Sequence, residues 1–381
     1  MRRPFSLQSC AVLLALNLIG CLAAAQTFTV LYSFTDGADG GEPVVGLTRD
    51  SAGNFYGTTT NGGDLTCRAP FGCGTLFKLD PAGNLSVLKN FRQNTLISDL
   101  AIDSQGNLYG TTSNEGDAQK GDVYKVDQSG VETVLYSFNT TFPAPEAGVT
   151  LGGAGNIFGT TYDSVFRLSS SGKFTNLHVF DVSDGYGSRG DLIRDPGGSL
   201  YGTTAYGGAN DEGTVFQIDS KGNFTSLHSF TAGPDARPLA GVIRDAAGNL
   251  YGTTESSYDS TNKCIRNGGC GSVFKLDAAG NETVLHIFTG GTDGTFPMGS
   301  LLRDAAGTLY GTAFRGGAKD KGTIFEVKAN GQFQVLYSFQ AGVDGMRPRG
   351  RLLRDSAGNL YGTSEFGGEF QKGCIYKLSP K

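Results

Sequence analysis

The sequence predicts an all-β protein, a seven-bladed β-propeller of four-stranded antiparallel blades whose last blade is closed by the N-terminal strand. Three observations lead to this prediction. A unit of roughly 50 residues repeats seven times, each copy holds short strand-like runs between turns, and one extra strand precedes the first copy. Because such repeats need one another for burial, we expect residues 26–381 to form a single propeller domain.

The first 25 residues have the pattern of a secretory signal peptide. Arg2 and Arg3 precede the apolar run Ala11–Gly20, and small residues follow at Ala23–Ala25. An alternative is the lipobox-like segment that ends at Cys21, where Cys21 would carry a lipid. We therefore expect a secreted or periplasmic protein, or else one anchored through Cys21. No second apolar run is long enough to span a membrane.

Composition narrows the classes of partner. The formal charge of −5 becomes −7 without the signal peptide, which carries two arginines and no acid. A mildly acidic chain is a poor match for nucleic acid, which needs clustered Lys and Arg. Glycine makes up 59 of 381 residues, about twice its ordinary share, and its spacing among short apolar runs indicates many tight turns.

The repeat is marked by Tyr-Gly-Thr-Thr or a close variant. The seven copies begin at Tyr56, Tyr109, Phe158, Tyr201, Tyr251, Tyr310 and Tyr361. Their spacings of 43 to 59 residues suit one propeller blade and exceed a leucine-rich or ankyrin unit. In the fourth copy we predict strands A to D at Gly190–Arg194, Ser199–Thr204, Gly213–Ile218 and Asn223–Phe230.

The turns between strands A and B share one chemistry, as in Asp50–Asn54 and Asp245–Asn249. The Asp accepts backbone hydrogen bonds, and the Gly takes the positive-φ position of a hairpin. The last copy ends at Leu378 without a strand D, whereas a spare strand of type D lies at Thr27–Phe34. We therefore expect this spare strand to complete the last blade and close the ring.

Variation in loop length predicts which face of the propeller binds a ligand. The A–B and C–D turns share one face, and the B–C loops and D–A crossovers share the other. The B–C loop is nearly absent between Thr161 and Val165 but long over Ser256–Gly271, which favours this second face for binding.

Cysteine pairs lie in the loops of the same face, which supports the prediction that this face binds a ligand. We predict two disulfides in B–C loops, Cys67–Cys73 and Cys264–Cys270, because the two pairs share a spacing and a repeat position. A zinc site is the alternative, although its ligand spacings are normally shorter. Cys374 is predicted to be a buried small residue.

The D–A crossovers carry a recurring Asp-Gly motif near the channel mouth. Acidic side chains there could bind a cation such as calcium or sugar hydroxyls; the alternative is that Asp-Gly only shapes the turn. The candidate ligand-binding residues are Asp39, Glu42, Asp184, Asp235, Arg237, Asp293, Asp344 and Arg347.

Catalytic machinery is not evident. His178, His228 and His286 occupy one repeat position in strand D, the outermost strand, so we expect structural roles. This leaves no Ser–His–Asp or Cys–His arrangement on the axis and no histidine-ligated metal. Paired carboxylates stay possible, but no unique pair stands out. We assign no catalytic residue and no cofactor beyond the calcium alternative.

The motifs Leu-Tyr-Gly-Thr-Thr, Gly-Thr-Val-Phe-Lys-Leu and Thr-Val-Leu-Tyr-Ser-Phe together resemble the bacterial choice-of-anchor tandem-repeat GloVer family. The resemblance covers nearly all of residues 27–378 and implies an exported, propeller-like protein without an assigned activity. Two copies depart from the pattern: Gly152 replaces the turn Asp, and Asn114-Glu115 replaces the usual Gly-Gly.

Together these observations predict a monomeric, secreted or surface-associated binding propeller that recognises a glycan or an extracellular protein on its variable face. Two alternatives stay open. One is a carboxylate-dependent polysaccharide hydrolase or lyase, and the other is a purely structural envelope protein.

Overall fold

The computed structural model describes residues 26–93, 98–116, 118–139, 144–231, 233, 236–255 and 270–380. Seven four-stranded antiparallel sheets form a ring, which confirms the seven-bladed propeller. The predicted signal peptide with Cys21, together with Asp235 and Cys264, lies outside the described residues. No helix in the described part of the chain is long and apolar enough to cross a membrane.

We number the strands in chain order and the blades by their innermost strand. The innermost strands are β2 Thr48–Arg49, β6 Ala101–Ile102, β10 Thr150–Leu151, β14 Ile193–Arg194, β18 Ile243–Arg244, β22 Leu302–Arg303 and β26 Leu353–Arg354. The second strands are β3 Phe55–Thr58, β7 Leu108–Thr112, β11 Ile157–Thr160, β15 Leu200–Thr204, β19 Leu250–Thr254, β23 Leu309–Ala313 and β27 Leu360–Ser364.

The outer half of each blade is longer. The third strands are β4 Thr75–Leu79, β8 Asp122–Val126, β12 Ser164–Leu168, β16 Thr214–Ile218, β20 Ser272–Leu276, β24 Thr323–Val327 and β28 Cys374–Ser379. The outermost strands are β5 Leu85–Asn90, β9 Glu132–Ser137, β13 Phe174–Val179, β17 Phe224–Ser229, β21 Glu282–Ile287, β25 Phe333–Ser338 and, in blade 7, β1 Thr27–Ser33. A 3₁₀ turn, Gly153–Gly155, stands where Gly152 replaces the turn aspartate.

The innermost strands are shorter than predicted. The sequence indicates a strand over Gly190–Arg194, but only Ile193–Arg194 pairs with the next strand. Upstream of β14 the chain runs against the neighbouring blade instead: a side chain at Gly241 would lie 2.2 Å from the carbonyl oxygen of Asp191. The converging crossovers therefore pack backbone to backbone around the axis before ladder pairing begins.

The N-terminal strand closes the ring as predicted. Strand β1 pairs antiparallel with β28, from Thr27 opposite Ser379 to Ser33 opposite Cys374. Blade 7 is thus built from both ends of the described chain, and its outer edge is β1.

The short hairpin turns form as their sequences predict. The carboxylate of Asp50 accepts hydrogen bonds from the backbone and side-chain nitrogens of Asn54 and from the hydroxyl of Tyr56. Gly53 has a φ of +90°, a conformation that glycine adopts without steric cost. The predicted turn role of the repeated Asp is confirmed at these positions.

Aromatic rings join each blade to the next. The Phe that follows each outermost strand packs against an aromatic ring in the third strand of the next blade, and Phe34 with Phe77 is one such pair at 5.2 Å between centroids. The other pairs are Phe91–Tyr124, Phe138–Phe166, Phe180–Phe216, Phe230–Phe274, Phe288–Phe325 and Phe339–Tyr376. A side chain at Gly57 would lie 2.7 Å from the Phe77 ring, which explains the Gly of the Tyr-Gly-Thr marker.

The crossovers and the B–C loops meet on one face. Their backbones form antiparallel bridges, for example between Tyr186 and Tyr206 and between Met346 and Phe366. The face that carries the variable loops is therefore also the face on which the crossovers enter the channel.

Candidate functional site

A cavity of about 790 Å³ opens at the crossover end of the central channel. This volume is in the range of small-molecule sites. Its lining comes from the crossovers of the blades and from two B–C loops. The charged lining residues are Asp99, Glu146, Arg189, Asp191, Arg237, Glu255, Arg349 and Arg351.

Charge enters the channel where single blades depart from the repeat. Two residues before the innermost strand, four blades have Gly or Ser and three have a charged side chain. In blade order the residues are Gly46, Asp99, Gly148, Asp191, Gly241, Ser300 and Arg351. Small residues suit this position because the crossovers touch there. The charged residues of blades 2, 4 and 7 are therefore departures from the repeat that the backbone packing does not require.

Asp99 and Asp191 each hold the crossover of the preceding blade. Asp99 accepts a hydrogen bond from the backbone nitrogen of Gly46 at 2.6 Å, and Asp191 accepts one from Gly148 at 2.6 Å. The other oxygen of Asp99 lies 3.4 Å from Nε of Arg351. The two carboxylates thus have unequal surroundings, because within the described residues only Asp99 has a cationic nitrogen within 4 Å.

This inequality affects protonation. Burial raises the pKa of Asp191, and the nearby Asp99 carboxylate raises it further; Arg351 and the backbone N–H of Gly148 oppose the rise. A carboxyl group with a raised pKa can hold a proton closer to neutral pH and then donate a hydrogen bond. The cavity therefore combines the Asp99 carboxylate, 3.4 Å from Nε of Arg351, with an Asp191 carboxyl group whose pKa is raised.

Glu255, which also lines the cavity, lies among three arginines. Burial raises the pKa of Glu255, and Arg189, Arg349 and Arg237 partly offset the rise. Each arginine also has an acidic partner of its own. The pairs are Arg189–Glu146 at 3.0 Å, Arg237–Glu212 at 3.2 Å and Arg349–Glu365 at 3.8 Å.

Acid and base therefore balance in the cavity, four residues of each kind. Such a lining offers hydrogen-bond donors and acceptors side by side without a strong net charge. It favours a polar, uncharged ligand over a simple anion or cation.

Three tyrosines lie beside the cavity on the same face. The rings of Tyr186 and Tyr206 are 5.4 Å apart, and those of Tyr162 and Tyr186 are 6.0 Å apart. Tyr206 lines the cavity, and the guanidinium of Arg237 lies 5.5 Å from its ring. Reciprocal backbone hydrogen bonds join Tyr186 to Tyr206, and the nitrogen of Gly187 donates to the carbonyl of Tyr162. The three rings are thus held by backbone from three separate loops.

The four described aspartates among the predicted site residues lie within their own crossovers. Asp39 and Asp344 each accept hydrogen bonds from a tyrosine hydroxyl and from a backbone N–H. Asp184 and Asp293 each accept a backbone N–H and lie next to a histidine Nε2 instead of a tyrosine hydroxyl. The contacts are Asp39 with Tyr32 and Thr35, Asp184 with His178 and Asp181, Asp293 with His286 and Thr289, and Asp344 with Tyr337 and Gln340. None of the four lines the cavity, so their ligand-binding role stays a prediction.

The remaining predicted residues divide. Arg237 lines the cavity, whereas Arg347 places its guanidinium against the rings of Phe314 and Phe366. Glu42, like Arg237 and Arg347, has a positive φ directly before a proline. Burial raises the pKa of Glu42, and Asp36 adds to the rise. The sequence interpretation placed Arg349 and Arg351 on this rim but missed Asp99, Asp191 and Glu255; the signal for the two aspartates was a charged residue where other copies have Gly or Ser.

The histidines and cysteines occupy structural positions. All three histidines lie in outermost strands, and within the described residues no group of three or more His, Cys, Asp or Glu side chains is placed to hold a metal ion. The Cys67–Cys73 disulfide is confirmed, with 5.7 Å between the Cα atoms. Cys374 is free and buried, as predicted. The second predicted disulfide stays a prediction, since Cys264 is not among the described residues.

Solved structures with this architecture include the virginiamycin B lyase of Staphylococcus aureus. It matches with a TM-score of 0.63 and 16% identity over 93% of this chain and 99% of the lyase. A catalytically inactive histidine-to-alanine variant of that lyase with quinupristin matches with a TM-score of 0.59 and 16% identity, over 93% of this chain and 100% of that one. At this identity the likeness shows the fold alone.

A bacterial extracellular domain has the same architecture. The extracellular domain of a hybrid two-component system from B. thetaiotaomicron matches with a TM-score of 0.63 and 13% identity, over 93% of this chain and 40% of that chain. Among curated proteins, none is significantly similar in sequence. The model of the Gloeobacter/Verrucomicrobia repeat matches residues 68–266 and 258–381. The chain belongs to the Gloeobacter/Verrucomicrobia repeat family.

Proposed function

We propose that this protein is an exported binding propeller that takes a carbohydrate in the crossover-end cavity of its channel. The observation that carries the proposal is the charge-balanced lining, in which acidic and basic side chains appear where single blades depart from the repeat. Sugar hydroxyls donate and accept hydrogen bonds, and paired carboxylates and guanidinium groups satisfy both needs. Tyr206 adds an aromatic surface at the rim, a side chain common at binding sites.

Export is supported by the N-terminal sequence, by a disulfide and by an extracellular domain of the same architecture. The N-terminal segment has the pattern of a signal peptide, the B–C loop of blade 1 carries the Cys67–Cys73 disulfide, and disulfides persist mainly in oxidising compartments. An extracellular domain has the same architecture. The monomeric state and the lack of nucleic-acid binding stay predictions, which light scattering and a gel-shift assay would check.

The test is a glycan array followed by calorimetry on any hit. We expect Glu255→Gln and Arg349→Met to weaken binding at least about tenfold, which is about 1.4 kcal/mol. The matched control is Lys221→Met, an exposed residue in a C–D turn on the opposite face, which should leave binding unchanged. Specific binding that both cavity variants retain in full would overturn the proposal, as would capture of a protein ligand with no glycan bound.

A second function, carboxylate-dependent glycoside cleavage, is favoured by one observation. Asp99 and Asp191 both line the cavity, and the pKa of Asp191 is raised; many enzymes use a carboxyl group with a raised pKa as the acid beside a second carboxyl group. Asp191 would supply the proton, and Asp99 would act as the base or nucleophile. Turnover of an oligosaccharide that Asp191→Asn abolishes without loss of binding would establish this activity; inactivity of the intact protein on every glycan it binds would exclude it.

A further inference from the structure

The tyrosine row extends the cavity outward over the junction of blades 3 and 4. Tyr162 belongs to the B–C loop of blade 3, Tyr186 to the next crossover and Tyr206 to the B–C loop of blade 4. Tyr162 is exposed and Tyr206 reaches the cavity, so the row connects open surface to the channel.

The repeat itself shows that the row is not needed for folding. The described residues at the position of Tyr162 in other blades are Thr60, Ser113, Ala205, Glu255, Phe314 and Glu365. At the bridge between crossover and B–C loop, the pair Tyr186–Tyr206 corresponds to Gly41–Asn61, Thr295–Arg315 and Met346–Phe366. Blades therefore join without tyrosine, and three tyrosines at one junction are a local addition.

The junction between blades 6 and 7 also carries aromatic rings, but there an arginine side chain lies against them. Between blades 6 and 7 the corresponding residues include Phe314 and Phe366, and the guanidinium of Arg347 lies against both rings, 5.5 and 5.4 Å from their centroids. At the same step of the crossover, blade 4 has Gly187, with a φ of +70°. A side chain there would start 2.8 Å from the Tyr206 ring and 3.6 Å from that of Tyr162. Gly187 thus places no side chain of its own over the rings of Tyr162 and Tyr206, and the Arg237 guanidinium approaches the Tyr206 ring to 5.5 Å from its centroid.

We propose, resting on the function proposed above, that the ligand is a linear, neutral oligosaccharide with one end in the cavity and its following sugar rings on Tyr206, Tyr186 and Tyr162. Tyrosine offers a large apolar ring at low entropic cost together with a polar hydroxyl. The hydroxyl of Tyr186 lies 3.2 Å from the Asp211 carboxylate, which favours uncharged sugars over anionic ones. Backbone bridges hold the rings in place before the ligand arrives, so little ordering is required on binding.

The test is calorimetry with cello-, xylo- and mannooligosaccharides of two to six units. We expect affinity to rise with chain length, and Tyr162→Ala to weaken the longest chains about tenfold while changing disaccharide binding less than twofold. Tyr162→Phe should restore long-chain affinity, because the ring is retained. Phe370→Ala is the matched control, since Phe370 is an exposed aromatic residue in a different B–C loop on the same face.

The outcomes separate the two proposals. Glu255→Gln should weaken every chain length, since Glu255 lies in the cavity. Affinity that does not depend on length, or that Tyr162→Ala leaves unchanged, overturns the inference while cavity binding stands. Failure of all three sugar series to bind the wild-type protein overturns the inference, whereas the proposed cavity function is overturned only if no glycan on the array binds. Tyr162 is exposed, so thermal unfolding should show that its variants are folded.

Discussion

The imidazole of His178 lies flat on the ring of Phe224 in the next blade, with 3.8 Å between centroids and 7° between planes. The same stacking occurs at three other junctions, between a residue of one outermost strand and a residue at or next to the start of the following outermost strand. Tyr136 stacks on Phe174, His286 on Phe333 and Tyr337 on Phe28. At two other junctions a glutamate takes the place of the phenylalanine, and its partner in the preceding outermost strand is basic: Lys89 pairs with Glu132, and His228 pairs with Glu282.

His286 makes stability depend on pH. Burial lowers its pKa, and the neighbouring Asp293 only partly opposes this. As pH falls below about 6.5, the unfolded chain binds the proton more readily than the folded one, so folding stability decreases. His286→Tyr should remove this contribution, and its hydroxyl should bond to Asp293 as that of Tyr337 does to Asp344. Urea denaturation at pH 8 and pH 5 should show a smaller loss for the variant; equal losses would contradict the prediction.

Lys89 is the cation of a buried cluster between blades 1 and 2. Its Nζ lies 2.8 Å from Glu132 and 3.2 Å from Glu115, and Lys89 and Glu115 are both under 10% exposed. Lys89→Met leaves two carboxylates without their cation, which should cost about 3–5 kcal/mol of unfolding free energy. Lys221→Met, at an exposed turn, should cost less than about 0.5 kcal/mol. Chemical denaturation measures both, and similar values for the two would refute the assignment.

Joining the chain ends should preserve the propeller. Deleting residues 26–34 removes the buried or half-buried Phe28, Leu31 and Phe34, each of which contributes about 1.5–3 kcal/mol when fully buried. The deletion should therefore lower the unfolding temperature sharply. A permutant that runs from residue 35 to 378 and continues through Asp-Ala-Ala-Gly-Asn into residue 28 should recover it, because Phe28 already lies opposite Leu378, as Glu282 lies opposite Leu276 across the same turn. Circular dichroism melts decide, and a permutant as unstable as the deletion would argue against this closure.

Asp191 should cost stability at neutral pH. Its pKa is raised in the folded state, so the folded protein loses stability as pH rises from about 3.9, the unfolded value, through the raised value. Asp191→Asn keeps an acceptor for the N–H of Gly148 and avoids the charge. We expect it to gain about 1 kcal/mol or more at pH 8 and little at pH 4. Asp99→Asn should show no such gain, because it removes the partner of Arg351.

The fold was predictable because every blade repeats the same physical solution. The Asp-x-x-Gly turns and the marker Gly, as at Gly53 and Gly57, are required by backbone conformation and by ring packing. The pairing of Lys89 with Glu132 was also within reach, since both depart from the repeat at matching positions. The innermost strands were predicted too long because backbone contacts between blades, rather than residue type, end the ladder.

The site was less accessible for the opposite reason. Asp39 and its equivalents recur in several copies, and a recurrent acid that bonds its own crossover serves the turn. The cavity acids Asp99 and Asp191 lie outside the recurrent Asp-Gly motif of the crossovers. Only the distance to the innermost strand reveals that they replace Gly. Which crossovers converge on the axis is a property of the closed ring, and no local pattern encodes it.

The closure by β1 imposes an order on folding. Strand β1 leaves the ribosome first but must wait for β28, about 350 residues later, which at 5–20 residues per second is roughly 20–70 s. During that time a strand reading Thr-Phe-Thr-Val-Leu-Tyr-Ser has no partner, and such an edge is prone to pair with other chains. Each of the other six blades is formed from four consecutive strands, whereas blade 7 needs β1 to pair with the distant β28. We therefore expect that β1 must be kept from other chains until β28 is available to pair with it.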